Sequence, residues 1–438
     1  MAKVSNKTAS IRVLTGIWLL ALAVVQCGPR ESGLPDDKPF TLAGILLTWQ
    51  HDPTTTMTID WHLYPEDGHR KSLLQFRERG TEEWHEVTAL RKQIPYFDRI
   101  INRVELRNLK PDTKYDFRLS AAPQVYYFQT MPDRLDRPVI FAAGGDIHFR
   151  KEGDIAGPLD FHPDFVINPG EGPNVNGDPY RVQNWYDWFE SLLDNLIHDD
   201  GRVIPYIAAI GNHEVFQKSR LLGGQSPHHE HSEREAERFM REHNLWSGKA
   251  TYFTHFFAFP GRENATYGVL DFGNYLSLIV LDSGINSPMT GGQEGWLASV
   301  LEARKERTHL LPVYRYSAYP ASRPYEGAAR QAVRDIFLPL FEGAGVNVVL
   351  ESQDHNTYKR THPLRNNQRD ESGIVYIGSG IWDGAGRPAR SGHNPWYIET
   401  FHGNSHGIVG KIFEDRIEFQ AIGISGEVFD RFMIEARN

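Results

Sequence analysis

The sequence predicts an all-β domain followed by an α/β domain, and three observations carry that reading. Between about residues 40 and 131, short apolar runs of strand character are separated by turn residues. From 137 onward, strand-like runs alternate with segments of helical period, as in layered α/β structure. In that second part several apolar runs end in a cluster of Gly, Asp, Glu, His, Asn or Arg. The carboxyl ends of strands are where open α/β sheets bind their ligands.

Size and charge bound the possibilities. A chain of 438 residues, 40% apolar and 24% charged, has room for two domains with cores of their own. The net charge is −9, and Lys and Arg are mixed with acids along most of the chain, which argues against a nucleic acid partner. Its one cysteine, Cys27, leaves no internal disulfide framework.

Residues 1–27 read as an export signal. Lys3, Lys7 and Arg12 precede the apolar run 13–25, which is too short to span a bilayer. Cys27 stands at the edge of that run, a position that resembles the signal of bacterial lipoproteins. The resemblance implies lipid on Cys27, contact with a membrane through it, and a place at the bacterial outer membrane, in the periplasm or on the cell surface. Gln26 replaces the small residue usual before such a cysteine, so simple cleavage and an uncleaved anchor stay open beside lipidation. Residues 28–39 form a polar tether rich in Pro and Gly.

Residues 40–132 are expected to form a β-sandwich, with strands near 44–50, 57–63, 71–79, 83–87 and 126–131. The segment 106–118, which contains Leu109 and Tyr115, resembles the tyrosine corner of fibronectin type III domains. This region carries no catalytic constellation and reads as a spacer or interaction module.

Residues 137–438 are expected to form the α/β domain. Strands are predicted at 138–143, 165–168, 204–210, 276–282, 310–316 and 346–351, and helices at 182–196, 293–306 and 328–342. Strands around 374–381, 408–413 and 417–421 are expected to close a second sheet. The polar insertion 217–236 holds His228, His229 and His231, which read as a solvated loop before they read as a site for stray metal.

The run ending at 143 delivers Asp146 and His148, two residues apart and so on one side of an extended backbone. A carboxylate beside a neutral imidazole suits Zn, Mn or Fe. Glu171 follows the run 165–169, and Asn212, His213 and Glu214 follow 206–211. Arg315 follows 310–314, and Ser352, Gln353, Asp354 and His355 follow 346–351. This order resembles calcineurin-like metallophosphoesterases, most closely purple acid phosphatases and their bacterial relatives, over about residues 40–430. The tetrad Gly211-Asn212-His213-Glu214 is the most specific motif. The resemblance implies a fibronectin-like sandwich in front of a two-sheet α/β/β/α domain. It also implies a two-metal centre acting on phosphate esters.

The departures from that family pattern fall on one ion. By resemblance, the first metal takes Asp146, His148, Glu171 and His355. The second takes Glu171, Asn212 and the positions that here hold Arg315 and Gln353. Glu171 stands for the bridging Asp, Arg315 for a lone His, and Ser352-Gln353 for Gly-His. A guanidinium has no lone pair to give, and an amide oxygen is a poor ligand for a transition metal. One divalent transition ion (Zn, Mn or Fe) is therefore expected, and a second is doubtful. Asn174 replaces the Tyr that colours purple acid phosphatases, so no tyrosinate–iron(III) site is expected. By resemblance His213 faces the phosphate as a general acid; a His213 that merely hydrogen-bonds a carboxylate is the plainer alternative.

The expected function is that of an exported metallophosphoesterase-fold protein with weak or absent phosphomonoesterase activity, taking a phosphate ester or phosphorylated ligand. An active phosphoesterase running on one metal plus Arg315 is the alternative. A third reading makes the sandwich an adhesin.

Overall fold

The computed structural model of the chain describes residues 42–437 apart from 66–70, 94–97, 120–123, 148–155, 179–180, 216–237, 239–241, 243–249, 261–264, 353–356, 381 and 383–394. The export signal, Cys27 and the tether lie outside the described residues, as does the His228–His231 insertion. Pro39–Asn438 form one compact unit.

Among the described residues, eight strands build the sandwich: β1 (Leu42–Thr48), β2 (Met57–Leu63), β3 (Leu73–Glu78), β4 (His85–Thr88), β5 (Leu90–Lys92), β6 (Ile100–Leu106), β7 (Lys114–Leu119) and β8 (Tyr126–Gln129). They pair as β1-β2-β6-β5 and β4-β3-β7-β8. The tyrosine corner is present: the Tyr115 hydroxyl accepts the Lys110 N–H at 2.9 Å.

The described residues of the sandwich are tied to the second domain at several points. Trp49, fully buried, sets its ring edge-on to Phe165 and Phe272 of the second domain, 6.0 and 5.7 Å away. Arg99 donates to Ala43 O at 2.9 Å and to Glu190 at 2.5 Å, and its guanidinium lies 4.0 Å over the Tyr186 ring. The backbone is stitched as well, with Tyr127 N–H donating to Gly201 O at 2.9 Å and Val203 N–H to Tyr127 O at 2.8 Å. Apolar side chains of both regions therefore belong to one continuous core, which removes more surface from water than two separate domains would.

Among the described residues, the second domain has two large sheets and a two-stranded ribbon. β9 (Val139–Ala143), β10 (Phe165–Asn168) and β11 (Tyr206–Ala208) are parallel, with β10 between the other two. The larger sheet holds β12 (Gly268–Phe272), β13 (Leu276–Val280), β14 (His309–Tyr314), β15 (Val348–Glu351), β16 (Tyr358–Thr361), β19 (Val375–Gly378) and β20 (Ile398–His402). Its order is β12-β13-β14-β15-β19-β16-β20, and β17 (Leu364–Arg365) and β18 (Gln368–Arg369) form a small ribbon beside it. Its neighbouring side chains sort by parity. Leu278 and Val280 join the core shared with β9 and β10, while Ile279 packs with residues of α1 (Glu294–Glu302) and α2 (Ala328–Gly343). That alternation is what a strand covered on both faces requires.

The chain's end departs from the sequence expectation. Of the three strands expected to close one sheet, β19 lies inside the larger sheet. β21 (His406–Ile412) and β22 (Arg416–Gly423) instead extend the other, giving β11-β10-β9-β21-β22-β23 with β23 at Val428–Glu435. β21 runs antiparallel to β9, with Ile408 opposite Ala143. Gly410 permits the pairing: a Cβ there would meet the Phe141 ring at 2.2 Å.

Candidate functional site

The carboxyl ends of β9, β10, β14 and β15 converge, and local chemistry shapes each loop. After β9, Gly145 has no room for a side chain, since a Cβ would meet Ser352 Oγ at 2.1 Å. Asp146 follows with φ of 49°, a left-handed conformation that Asp tolerates better than most residues. Its loop is pinned to the next one by Ile147 N–H donating to Glu171 O at 3.0 Å. After β10, Asn168 Oδ1 accepts Gly170 N–H at 2.8 Å and Asn168 Nδ2 donates to Glu171 O at 3.0 Å. This turn, in which an amide side chain caps the backbone two residues on, presents Glu171.

Arg315 enters this space from the end of β14. Its guanidinium is 1% exposed and forms a fork. Nη1 donates to Asp146 Oδ1, to Gly170 O at 2.8 Å and to Ser352 Oγ at 2.9 Å. Nη2 donates to Glu171 Oε2 at 2.7 Å, and Nε lies 3.4 Å from Asn212 Oδ1. Burial opposes the charge, but the Asp146 and Glu171 carboxylates outweigh it and push the guanidinium pKa above its ordinary value. The residue is a permanent cation.

Neighbouring strands hold the loop that carries it. Ser283 Oγ accepts Tyr316 N–H at 3.0 Å. Glu351, fully buried, accepts from Ala318 N–H at 2.8 Å and from Ser317 Oγ at 3.2 Å, and forms an ion pair with Lys359.

His213 lies beside the fork. Its Nε2 is 3.3 Å from Glu171 Oε1, and its Nδ1 is in hydrogen-bond contact with Asn176. Glu214 is buried behind it and accepts Gly172 N–H at 2.8 Å. Burial pushes the Glu214 carboxyl up to about 7, against the backbone N–H groups and the Arg315 charge that favour the anion.

Five residues singled out from sequence, Asp146, Glu171, Asn212, His213 and Arg315, are thus brought together. His148, Gln353 and His355 lie outside the described residues. Ser352 and Asn168 acquire roles that sequence reasoning did not assign; the Asn-Pro-Gly triplet at 168–170 was the available signal for the second. A separate cleft of about 610 Å³ opens at the seam between Tyr127, His162, His198 and Arg202, and none of the strand-end residues lines it.

Asp146 and Glu171, two of four donors expected for a first ion, already accept from Arg315. The same guanidinium faces the Asn212 oxygen expected for a second ion. The described members of the expected set, Asp146, Glu171 and Asn212, thus all face one guanidinium. Among the described residues, no group of three or more His, Cys, Asp or Glu side chains is placed to hold a metal.

Comparison with known proteins gives the frame. Residues 43–130 match the purple acid phosphatase N-terminal domain, and residues 141–351 match the calcineurin-like phosphoesterases. Purple acid phosphatase 21 of Arabidopsis thaliana is 26% identical over 302 residues, 66% of this chain and 59% of that protein. The match thus spans about three fifths of the relative's length. Among solved structures, GAP50 of Plasmodium, described as the anchor in the inner membrane complex, is 15% identical with a TM-score of 0.46, over 69% of this chain and 90% of that one.

Proposed function

Because the chain belongs to the calcineurin-like metallophosphoesterases of purple acid phosphatase type, we propose that it is an exported protein of that fold whose phosphomonoester hydrolysis is weak or absent. The fork of Arg315 between Asp146 and Glu171 carries this reading. Bound metal ions would supply a hydroxide nucleophile and positive charge for the transferring phosphoryl group. Arg315 supplies one positive charge, but it stays protonated and cannot activate water. It also repels an incoming dication. At ~4 Å and an effective dielectric near 20, each unit-charge pair costs about 4 kcal/mol, so a dication meets roughly twice that before screening. Asp146 and Glu171 outnumber the guanidinium, which disfavours a phosphate further.

One observation favours the competing reading of an active enzyme using one ion, drawn from Asp146, His148, Glu171 and His355, together with Arg315. His213, the residue placed as general acid by resemblance, keeps a side chain that is 23% exposed, and Arg315 beside it could stabilise charge on phosphorus. Turnover of a generic aryl phosphate separates the two. The first reading expects a rate close to that of buffer, raised by the triple change Arg315→His, Gln353→His and Glu171→Asp. Rapid wild-type turnover that Arg315→Ala abolishes would transfer the argument to the second.

The composition of residues 1–27 supports export and lipid on Cys27, hence a protein held at the bacterial outer membrane, in the periplasm or on the cell surface by acyl chains. Cys27→Ala is then expected to move the protein from the membrane to the soluble fraction. The ligand class proposed is a phosphate ester or a phosphorylated group.

A further inference from the structure

We infer that Arg315 is the resident cation of this site, standing in for both metal ions, and that the protein reaches its complete fold with no metal at the strand ends. The inference rests on the phosphoesterase reading, because it takes Asp146 and Glu171 to be positions that in relatives face ions.

The guanidinium is built in rather than resting there. Nη1 is shared among Asp146, Gly170 O and Ser352 Oγ, so the carboxylate oxygen, the carbonyl and the hydroxyl all point at one nitrogen. Ser352 Oγ also donates to Gly170 O at 2.7 Å. Residue 352, a departure from the family's Gly, thereby becomes intelligible as part of the same adaptation as Arg315. Space was kept for both side chains. Gly145 lacks the Cβ that would strike Ser352, and a Cβ on Gly170 would lie 3.1 Å from Arg315 Cδ. Behind the fork, Ser283 and Glu351 fix the backbone on either side of Tyr316.

Charge makes the same point. Glu171 offers Oε2 to Arg315 and has Oε1 against His213 at 3.3 Å, so both of its oxygens face nitrogen. A dication would have to displace N–H donors from two carboxylates while the guanidinium, 1% exposed and enclosed by its partners, stayed beside it. The three departures at 171, 315 and 352 form one connected unit: a longer carboxylate, a cation that reaches it, and a hydroxyl that steadies the cation.

The test uses the full chain with His228, His229 and His231 changed to Ala, so that loop imidazoles take up no ion. After EDTA treatment, Mn²⁺ and Zn²⁺ are titrated while heat of binding and melting temperature are followed. The parent protein is expected to show no stoichiometric uptake and an unchanged melting temperature. Arg315→Ala is expected to melt lower in EDTA and to recover when either ion is added, because the two carboxylates regain a counter-cation. Should that variant fail to fold in EDTA, it is refolded with and without Mn²⁺, and recovery in Mn²⁺ alone supports the inference equally. Uptake of one ion or more per parent chain with a rise in melting temperature overturns it, and so does an Arg315→Ala variant indifferent to metal. Aryl phosphate turnover of the same samples keeps the two proposals apart. A metal-free parent with rapid turnover sinks the weak-hydrolysis reading and leaves the resident cation standing, whereas a metal-loaded, slow parent does the reverse.

Discussion

At the seam between the two regions, Arg103 meets one carboxylate; at the strand ends, Arg315 meets two. Arg103 Nε lies 2.7 and 3.0 Å from the oxygens of Asp60, and Nη2 reaches Phe256 O at 3.0 Å. Charge is balanced there and both partners are buried, as in a pair whose work is to join two regions. The Arg315 cluster has Asp146 and Glu171 for one guanidinium, with Glu214 behind them. An excess of buried carboxylate is costly, and the Arg315 cluster meets it with one guanidinium shared between two carboxylates and a Glu214 carboxyl that burial pushes up to about 7. Balance marks a structural pair, and imbalance marks a converted cation site.

Arg103→Met should separate the two cases most forcefully. It leaves Asp60 buried and unpaired, an expected loss of about 3–5 kcal/mol in urea unfolding, and no divalent ion should restore it. Recovery in Mn²⁺ would put seam and site in one class and dissolve the contrast. Ser352→Ala comes next, at roughly 1.5–3 kcal/mol, because a hydrogen bond to a charged group and one to Gly170 O are lost together. An unmoved urea midpoint would mean that the two carboxylates hold Arg315 unaided.

The seam should also answer to pH. His62, buried with its ring 4.2 Å from Phe189, is pushed down to about 3 by burial and then by Arg99 and Arg103. The unfolded chain binds this proton from about pH 6.5 downward and the folded chain refuses it, so stability is full above that pH and lost as pH falls. One unit lower, near pH 5.5, the loss is about 1.4 kcal/mol. His62→Gln should flatten that part of the curve, and an identical slope would assign the loss elsewhere. The smallest effect expected is that of Tyr115→Phe, about 0.5–1.5 kcal/mol for one hydrogen bond in the sandwich. Metal titrations of this variant should match the parent, and a difference would show that the sandwich reaches the strand ends energetically.

Much of this was legible in the sequence because it is local. The helix Val182–Leu196 was bounded to the residue by its aromatic spacing, and Asp146, Glu171, Asn212 and Arg315 declared themselves by following apolar runs. What stayed hidden depends on partners far apart in the chain. No period reveals that Arg315 reaches back to Asp146 and Glu171, across 169 and 144 positions. The expected first-ion set named both carboxylates without this partner, and its His148 and His355 lie outside the described residues. For the same reason β21 and β22 were expected beside β19, although β21 pairs with β9. The sandwich reads as a spacer or interaction module because Trp49 and Arg99 look ordinary until their partners Phe165 and Glu190 are in view.

The stitching of Tyr127 to Gly201 and Val203 has a consequence for the covalent link between the two halves. With Trp49, Arg99 and Arg103 also spanning the seam, the peptide bonds of residues 132–138 contribute little beyond keeping the halves at high local concentration. A chain nicked there is expected to remain a single particle on a sizing column, and two fragments expressed separately should reassemble as complementing halves. Neither piece would be a sound substitute for the whole, since each would expose to water the aromatic surface that the other covers.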